Sequence, residues 1–214
     1  LADGTHTLTV SAIDSLGNPA ASTNVEIIID TTTDTPTISG DQLTNNPNPT
    51  ITGTAEAGST IILSDGINNL GTTTTDNDGN WSITTSELND GDYSLTATAT
   101  DAAGNSATSN YFSLEVDATT DTPTISGDQL TNNTTPTFTG TAEAGSTITI
   151  SDGTNTLGTT TTDSNGNWSI TLSELNDGDY SLTATATDTL GNSATSDPLS
   201  LEVDATIDLP IIKA

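Results

Sequence analysis

Carboxylates recur in this chain at fixed places in short loops. Glu56 sits in "AEAGS", Asp76 and Asp78 in "TDNDGN", and Asp101 in "TDAAGN", while the segment "DTTTDTP" carries Asp30 and Asp34 and "LNDGDY" carries Asp90. The set returns further on as Glu143, Asp163 with Asn165, Asp188, Asp117 with Asp121, and Asp177; Asp3 matches Asp90, and Asp204 matches Asp30 and Asp117. Asp, Glu and Asn oxygens, together with loop carbonyls, suit a hard cation. Calcium accepts six to eight such oxygens in irregular geometry, so Ca2+ is the cofactor these loops imply. With no Cys and a single His, His6, the chain lacks the soft ligands of a zinc site. Asp and Asn are also ordinary turn residues, and a turn reading competes at every one of these positions. "DNDGN" opens like an EF-hand loop, but the Glu at the twelfth position and the flanking helices are missing.

Charge narrows the partners. The 29 acidic residues face one basic residue, a formal charge of -28, which excludes nucleic acid and anionic lipid surfaces and leaves cations or a solvated acidic surface. Apolar residues make up 30% of the chain and aromatics 3%, so any core is thin. Small domains commonly need added staples, and without Cys those reduce to metal ions and contacts with neighbouring repeats of the same chain. No apolar run is long enough for a membrane span, so direct membrane insertion is not expected.

The elements that must position the carboxylates form a repeat. Asp30 to Val116 recurs as Asp117 to Val203 with a period of 87 residues, and 71 of the 87 positions are identical without insertion or deletion. Leu1 to Asp30 reads as the last part of an earlier copy. The expected domains are therefore residues 1–30, 31–117, 118–204 and 205–214, the last being the start of a further copy. Within a copy the side chains alternate with period 2 and no helical period is sustained, which makes the chain all-β. Seven strands are predicted in the first copy: Pro36 to Gly40, Thr50 to Ala55, Thr60 to Ser64, Leu70 to Thr75, Asn80 to Thr84, Tyr93 to Thr100 and Ala107 to Val116. Their phase turns Ile51, Ile61, Leu63, Trp81, Ile83, Tyr93, Leu95, Ala97, Phe112, Leu114 and Val116 inward. Seven short strands with a Tyr near the start of the sixth describe tandem immunoglobulin-like β-sandwich domains in a linear array.

Strand direction reverses at each turn, so the loops holding Glu56, Asp76 with Asp78, and Asp101 share one end of the sandwich with the entering segment that holds Asp30 and Asp34. Asp3, from the preceding copy, adds to that end. The second such meeting point collects Asp90, Asp117, Asp121, Glu143, Asp163 and Asp188, and Asp177 with Asp204 belong to a third. Several ionised carboxylates so close repel one another unless a cation sits among them.

The combination "TAEAGST", "GNWS" and "DGDYSLTATATDAAGN" resembles the bacterial immunoglobulin-like repeats of giant surface adhesins, including the calcium-dependent RTX adhesins of Gram-negative bacteria. The resemblance implies an extracellular, non-enzymatic extender on the bacterial cell surface. Calcium at its connectors would limit bending and a distal region would do the adhering. It carries a ligand role to Glu56 and Glu143, to Asp101 and Asp188, and to Asp30, Asp117 and Asp204. RTX nonapeptides are absent from these 214 residues. A competing class is direct binding of a glycan, a host protein or ice by the repeats themselves. Outward Thr is ordinary β-surface composition, however, and the one exposed aromatic, Tyr111, becomes Pro198 in the second copy. An enzyme is the third class. His6 stands where the copies have Tyr93 and Tyr180, and the carboxylates lie in repeated turns with no implied cleft.

Overall fold

The computed structural model describes residues 1–206, and every regular element among them is a β-strand. The described part forms two compact units. One comprises residues 1–42, 48–88 and 92–114; the other comprises 43–47, 89–91 and the chain from Glu115 onward.

The first unit opens with a hairpin of β1 (Gly4–Val10) and β2 (Thr23–Ile29), paired antiparallel with Gly4 opposite Ile29. Its apolar residues Leu8, Val10, Val25 and Ile28 are all exposed, because two strands cannot bury a face between themselves. In chain order, the first copy of the repeat runs through β3 (Leu43–Thr44), β4 (Thr50–Thr54), β5 (Thr60–Ser64), β6 (Asn69–Thr74), β7 (Asn80–Thr84), β8 (Gly91–Thr100), β9 (Ser106–Thr108) and β10 (Phe112–Val116), of which β3 and the end of β10 belong to the second unit. β4 pairs with β7 in a two-stranded sheet, β5 lies between β6 and β8, and β9 pairs with β8.

The second copy repeats the plan with β11 (Leu130–Thr131), β12 (Thr137–Thr141), β13 (Thr147–Ser151), β14 (Thr156–Thr161), β15 (Asn167–Thr171), β16 (Gly178–Thr187), β17 (Ser193–Thr195) and β18 (Leu199–Val203). β12 and β15 form one sheet, and β11-β18-β16-β13-β14 the other, with β17 on β16. Phe138 and Trp168 from the small sheet and Ile148, Ile150, Leu182, Leu201 and Val203 from the large one join a single buried cluster. This is an immunoglobulin-like sandwich in which alternation decides the core. Its corner is in place, since the Tyr180 hydroxyl donates to the Asn176 carbonyl at 3.0 Å. In the N-terminal hairpin the ring of His6 fills that role, donating from Nε2 to the Ala2 carbonyl at 2.6 Å.

The residues predicted to face inward do so, with Tyr93 and Phe112 half-buried rather than fully enclosed. Three details depart from the expected strands. Pro36 to Gly40 makes the isolated bridge Ser39 to Thr52 and one further bond, from the Thr37 N–H to the Thr54 carbonyl at 2.8 Å; the Thr54 N–H returns to Thr37 Oγ1 at 2.9 Å rather than to its carbonyl, so the ladder is not completed. Ala107 to Val116 is interrupted at Ser109, whose Oγ takes the Ala97 N–H at 3.0 Å and donates to the Asn110 carbonyl at 2.8 Å, which ends β9 before β10 begins. Leu43 and Thr44, predicted as loop, pair parallel with Glu115 and Val116. Leu88 and Leu175 enter the core from loops, where no alternation marks them. Of the expected opening of a further copy, residues 205 and 206 are described and 207–214 lie outside the described residues.

Candidate metal centre

Each "D-x-x-G-N" loop folds locally for one reason: the Asp carboxylate caps the turn's own amides. Asp101 Oδ1 accepts the N–H groups of Ala103, Gly104 and Asn105 at 2.9, 2.7 and 2.8 Å, and Oδ2 accepts Asn105 Nδ2 at 2.7 Å. Gly104 supplies the positive φ of 94° that closes the loop. Asp188 is built in the same way, with Leu190 and Asn192 as donors. Glu56 begins a tight turn in which its carbonyl accepts the Ser59 N–H at 3.2 Å and the Thr75 hydroxyl at 2.6 Å. Glu143 repeats this with Ser146 at 3.3 Å and Thr162 at 2.7 Å.

These two loops meet a third carboxylate from the connector. In the first unit, oxygen atoms of Asp30, Glu56 and Asp101 all lie within 4.8 Å of one another, and in the second those of Asp117, Glu143 and Asp188 do the same. Asp101 is 8% exposed and the other five are half-buried, so the carboxylates are partly withdrawn from solvent. The connector is tied in beside them. Asn105 Nδ2 reaches the Asp30 carbonyl at 3.2 Å and Asn192 Nδ2 the Asp117 carbonyl at 2.7 Å. Thr33 and Thr120 donate to Glu56 Oε2 and Glu143 Oε2 at 3.1 and 2.9 Å. Three carboxylates this close match the oxygen-only donor set of a hard divalent cation.

Among the described residues no Lys or Arg stands against this charge. Burial, then repulsion from Asp188 and from Asp90, pushes the Asp117 carboxyl above the ordinary carboxylate range. Asp101 and Asp188 feel burial most strongly, but the side chains of Asn105 and Asn192 and the turn amides outweigh it and hold both below that range.

The other acidic positions singled out from sequence lie outside the two triads. Asp76 and Asp163 are exposed and spend Oδ1 on their own turns, accepting the Asn80 and Asn167 N–H groups at 2.8 and 2.9 Å. Asp78, Asp34, Asp121 and Asp204 are exposed. Asp3, Asp90 and Asp177 grip the connector. Asp90 Oδ1 accepts the Ala118 N–H at 2.7 Å and Oδ2 the Thr119 hydroxyl, and Asp177 takes the Ala205 N–H at 2.9 Å and the Thr206 hydroxyl. Asp3 accepts the Thr31 and Thr32 hydroxyls at 2.7 and 3.3 Å. The hydroxyls lead in holding all three carboxylates below the usual range. Asn105 and Asn192 link each triad to its connector, and their place at the end of "DxxGN" is the sequence signal that marks them.

Residues 32–118 and 115–205 each match the family model for the bacterial Ig-like domain. Among solved structures, the chain is 32% identical to a tetra-tandem repeat in the extending region of a large adhesion protein, over 96% of this chain and 58% of that one, with a TM-score of 0.42. It is 21% identical to part of a 1.5-MDa bacterial ice-binding adhesin, over 94% of this chain and 74% of that one, also with a TM-score of 0.42. The D00-D0 domain of intimin is 17% identical, over 79% and 99%, with a TM-score of 0.37. No curated protein matches. No helix among the described residues is long and apolar enough to cross a membrane. With two consecutive matches that together span most of its length, the chain belongs to the bacterial Ig-like domain family.

Proposed function

We propose that this chain is a non-enzymatic extender of an extracellular bacterial surface adhesin, with repeats at 31–117 and 118–204 stiffened by calcium at their connectors. The observation that carries the reading is the pair of triads, Asp30–Glu56–Asp101 and Asp117–Glu143–Asp188, each with one carboxylate from a connector and two from loops. Calcium neutralises each triad and fixes the connector against the loops, so the connector loses freedom to bend. Asp204 is the corresponding connector ligand for a copy that follows. The likeness in sequence to the extending region of a large adhesion protein supports the spacer role, and that protein's repeats are the ones described as extending.

The test is a thermal melt of this chain in EDTA, magnesium and millimolar calcium at constant ionic strength, run with small-angle scattering. The expected result is a calcium-specific rise in Tm with a narrower, more extended size distribution. Equal behaviour in calcium and EDTA would sink the proposal and leave the acidity as surface solvation.

A further inference from the structure

Two core serines carry hydroxyls without partners, and both stand beside a triad. Ser59 is 0% exposed and Ser146 1%, and neither Oγ has a hydrogen-bond partner among the described residues. Their position follows from register. β5 pairs antiparallel with β8, Thr60 opposite Thr100 and Ile61 opposite Ala99. One step further along the same register puts Ser59 opposite Asp101. Ile61 and Ala99 face the core at 0% exposure, and with period-2 alternation Ser59 and Asp101 share that inward face. Side chains opposed in this way have Cβ atoms about 4.5–5.5 Å apart. In the second copy Thr147 opposite Thr187 places Ser146 opposite Asp188 in the same manner.

The backbone around each serine is fully engaged. Ser59 N–H donates to the Glu56 carbonyl and to Thr75 Oγ1 at 2.9 Å, and its carbonyl accepts the Thr75 N–H at 3.0 Å. The serine is thus fixed between the two loops that hold Glu56 and Asp101, and only its hydroxyl is uncommitted. An unpaired buried hydroxyl destabilises a core, and an alanine would occupy the same space without that cost. A buried water needs two to four polar partners, and a cation with a carboxylate and a hydroxyl beneath it supplies them. Three carboxylates also leave part of a calcium shell to be filled by other oxygens.

We propose that Ser59 and Ser146 each hold an ion-bound water on the core-facing side of the calcium, an inference that rests on the calcium reading above. The serines are positioning residues: they act on the ion through its water and order the shell where bulk solvent does not reach. Outer partners of this kind change metal affinity by about 10- to 100-fold.

The experiment uses the whole chain with Ser59→Ala, Ser146→Ala and both together. Calcium affinity is measured by calorimetry, waters on the ion by terbium luminescence decay in H2O and D2O, and metal-free stability by melts in EDTA. The expected result has opposite signs in the two states. Without metal each variant melts at or above the wild-type temperature, while calcium affinity falls about tenfold at the altered site and the terbium hydration number changes there. The single variants leave the other site as an internal reference. If the wild type binds calcium and the double variant matches it in affinity and hydration number, the serine inference is overturned and the calcium reading stands. If the wild type binds no calcium, both fall.

Discussion

Thr85 and Leu172 occupy the same inward position in successive copies, and only the leucine suits it. Both are almost fully buried, at 4% and 3% exposure, but the Thr85 hydroxyl has no partner, whereas Leu172 belongs to the apolar cluster around Phe138 and Trp168. Thr85→Leu therefore removes an orphaned hydroxyl and adds apolar contact. It should stabilise the first unit by ~1–3 kcal/mol, seen as a later transition in calorimetry of the whole chain. An unchanged or earlier transition would show that the first core lacks room for the side chain.

A second pair of equivalent positions gives a contrast in glycines. A Cβ added at Gly40 would meet Ile51 Cδ1 at an ordinary 3.5 Å, but one added at Gly127 would meet Phe138 Cδ1 at 2.4 Å. Exchange of Ile51 for Phe138 between copies has made Gly127 obligatory while leaving Gly40 free. Gly40→Ala should change stability by less than about 0.5 kcal/mol, and Gly127→Ala should cost about 1–3 kcal/mol through overpacking against the phenyl ring. Urea unfolding of the two variants reads the difference, and equal costs would contradict it.

Acid should first help and then harm the metal-free protein. Asp117 binds its proton more tightly folded than unfolded, so it favours folding below the ordinary carboxylate range and loses that contribution as pH rises through its raised folded value. Asp101 and Asp188 are held low, so their contribution is present above the ordinary value and is lost as pH falls through their lowered folded values. In EDTA, Tm should climb on mild acidification from neutrality and drop on stronger acidification. Asp117→Asn should raise the neutral-pH Tm and flatten the first limb, and saturating calcium should erase it. A Tm that only falls from neutrality downward would count against a strained triad.

The connector grip can be tested apart from any metal. Asp90→Asn keeps one acceptor for the Ala118 N–H or the Thr119 hydroxyl but presents an NH2 to the other. The expected cost is about 1 kcal/mol, with exchange of the Ala118 amide hydrogen about fivefold faster in EDTA. Unaltered exchange at Ala118 would mean that the carboxylate does not hold the connector.

Much of this was legible in the sequence because alternation with period 2 assigns faces without tertiary information. Ile61, Leu63, Leu95 and Leu114 were placed inward by phase alone, and all are 0% exposed. The parity of strand reversal put Glu56, Asp76 and Asp101 at one end, but it could not say which of them meet. Asp76 and Asp101 head loops of the same "D-x-x-G-N" form, with the carboxylate turned onto the loop amides in both. What separates them is that Glu56 and Asp101 flank the paired strands β5 and β8, whereas Asp76 follows β6, on the far side of β5. That pairing joins segments about 40 residues apart and leaves no local signature. The same holds for Leu43 and Thr44 on Glu115 and Val116, a two-residue parallel contact too short to show any period.

The uninterrupted 87-residue spacing also bears on how such a gene changes length. The first copy contributes two loop carboxylates, Glu56 and Asp101, to the triad at its start and, with Asp117, the connector carboxylate for the copy after it. Recombination between near-identical copies removes or inserts a multiple of 87 codons, so the reading frame survives and every internal triad is rebuilt whole from whichever two copies become neighbours. Lineages can therefore lengthen or shorten the array by entire copies without leaving an incomplete triad at the crossover.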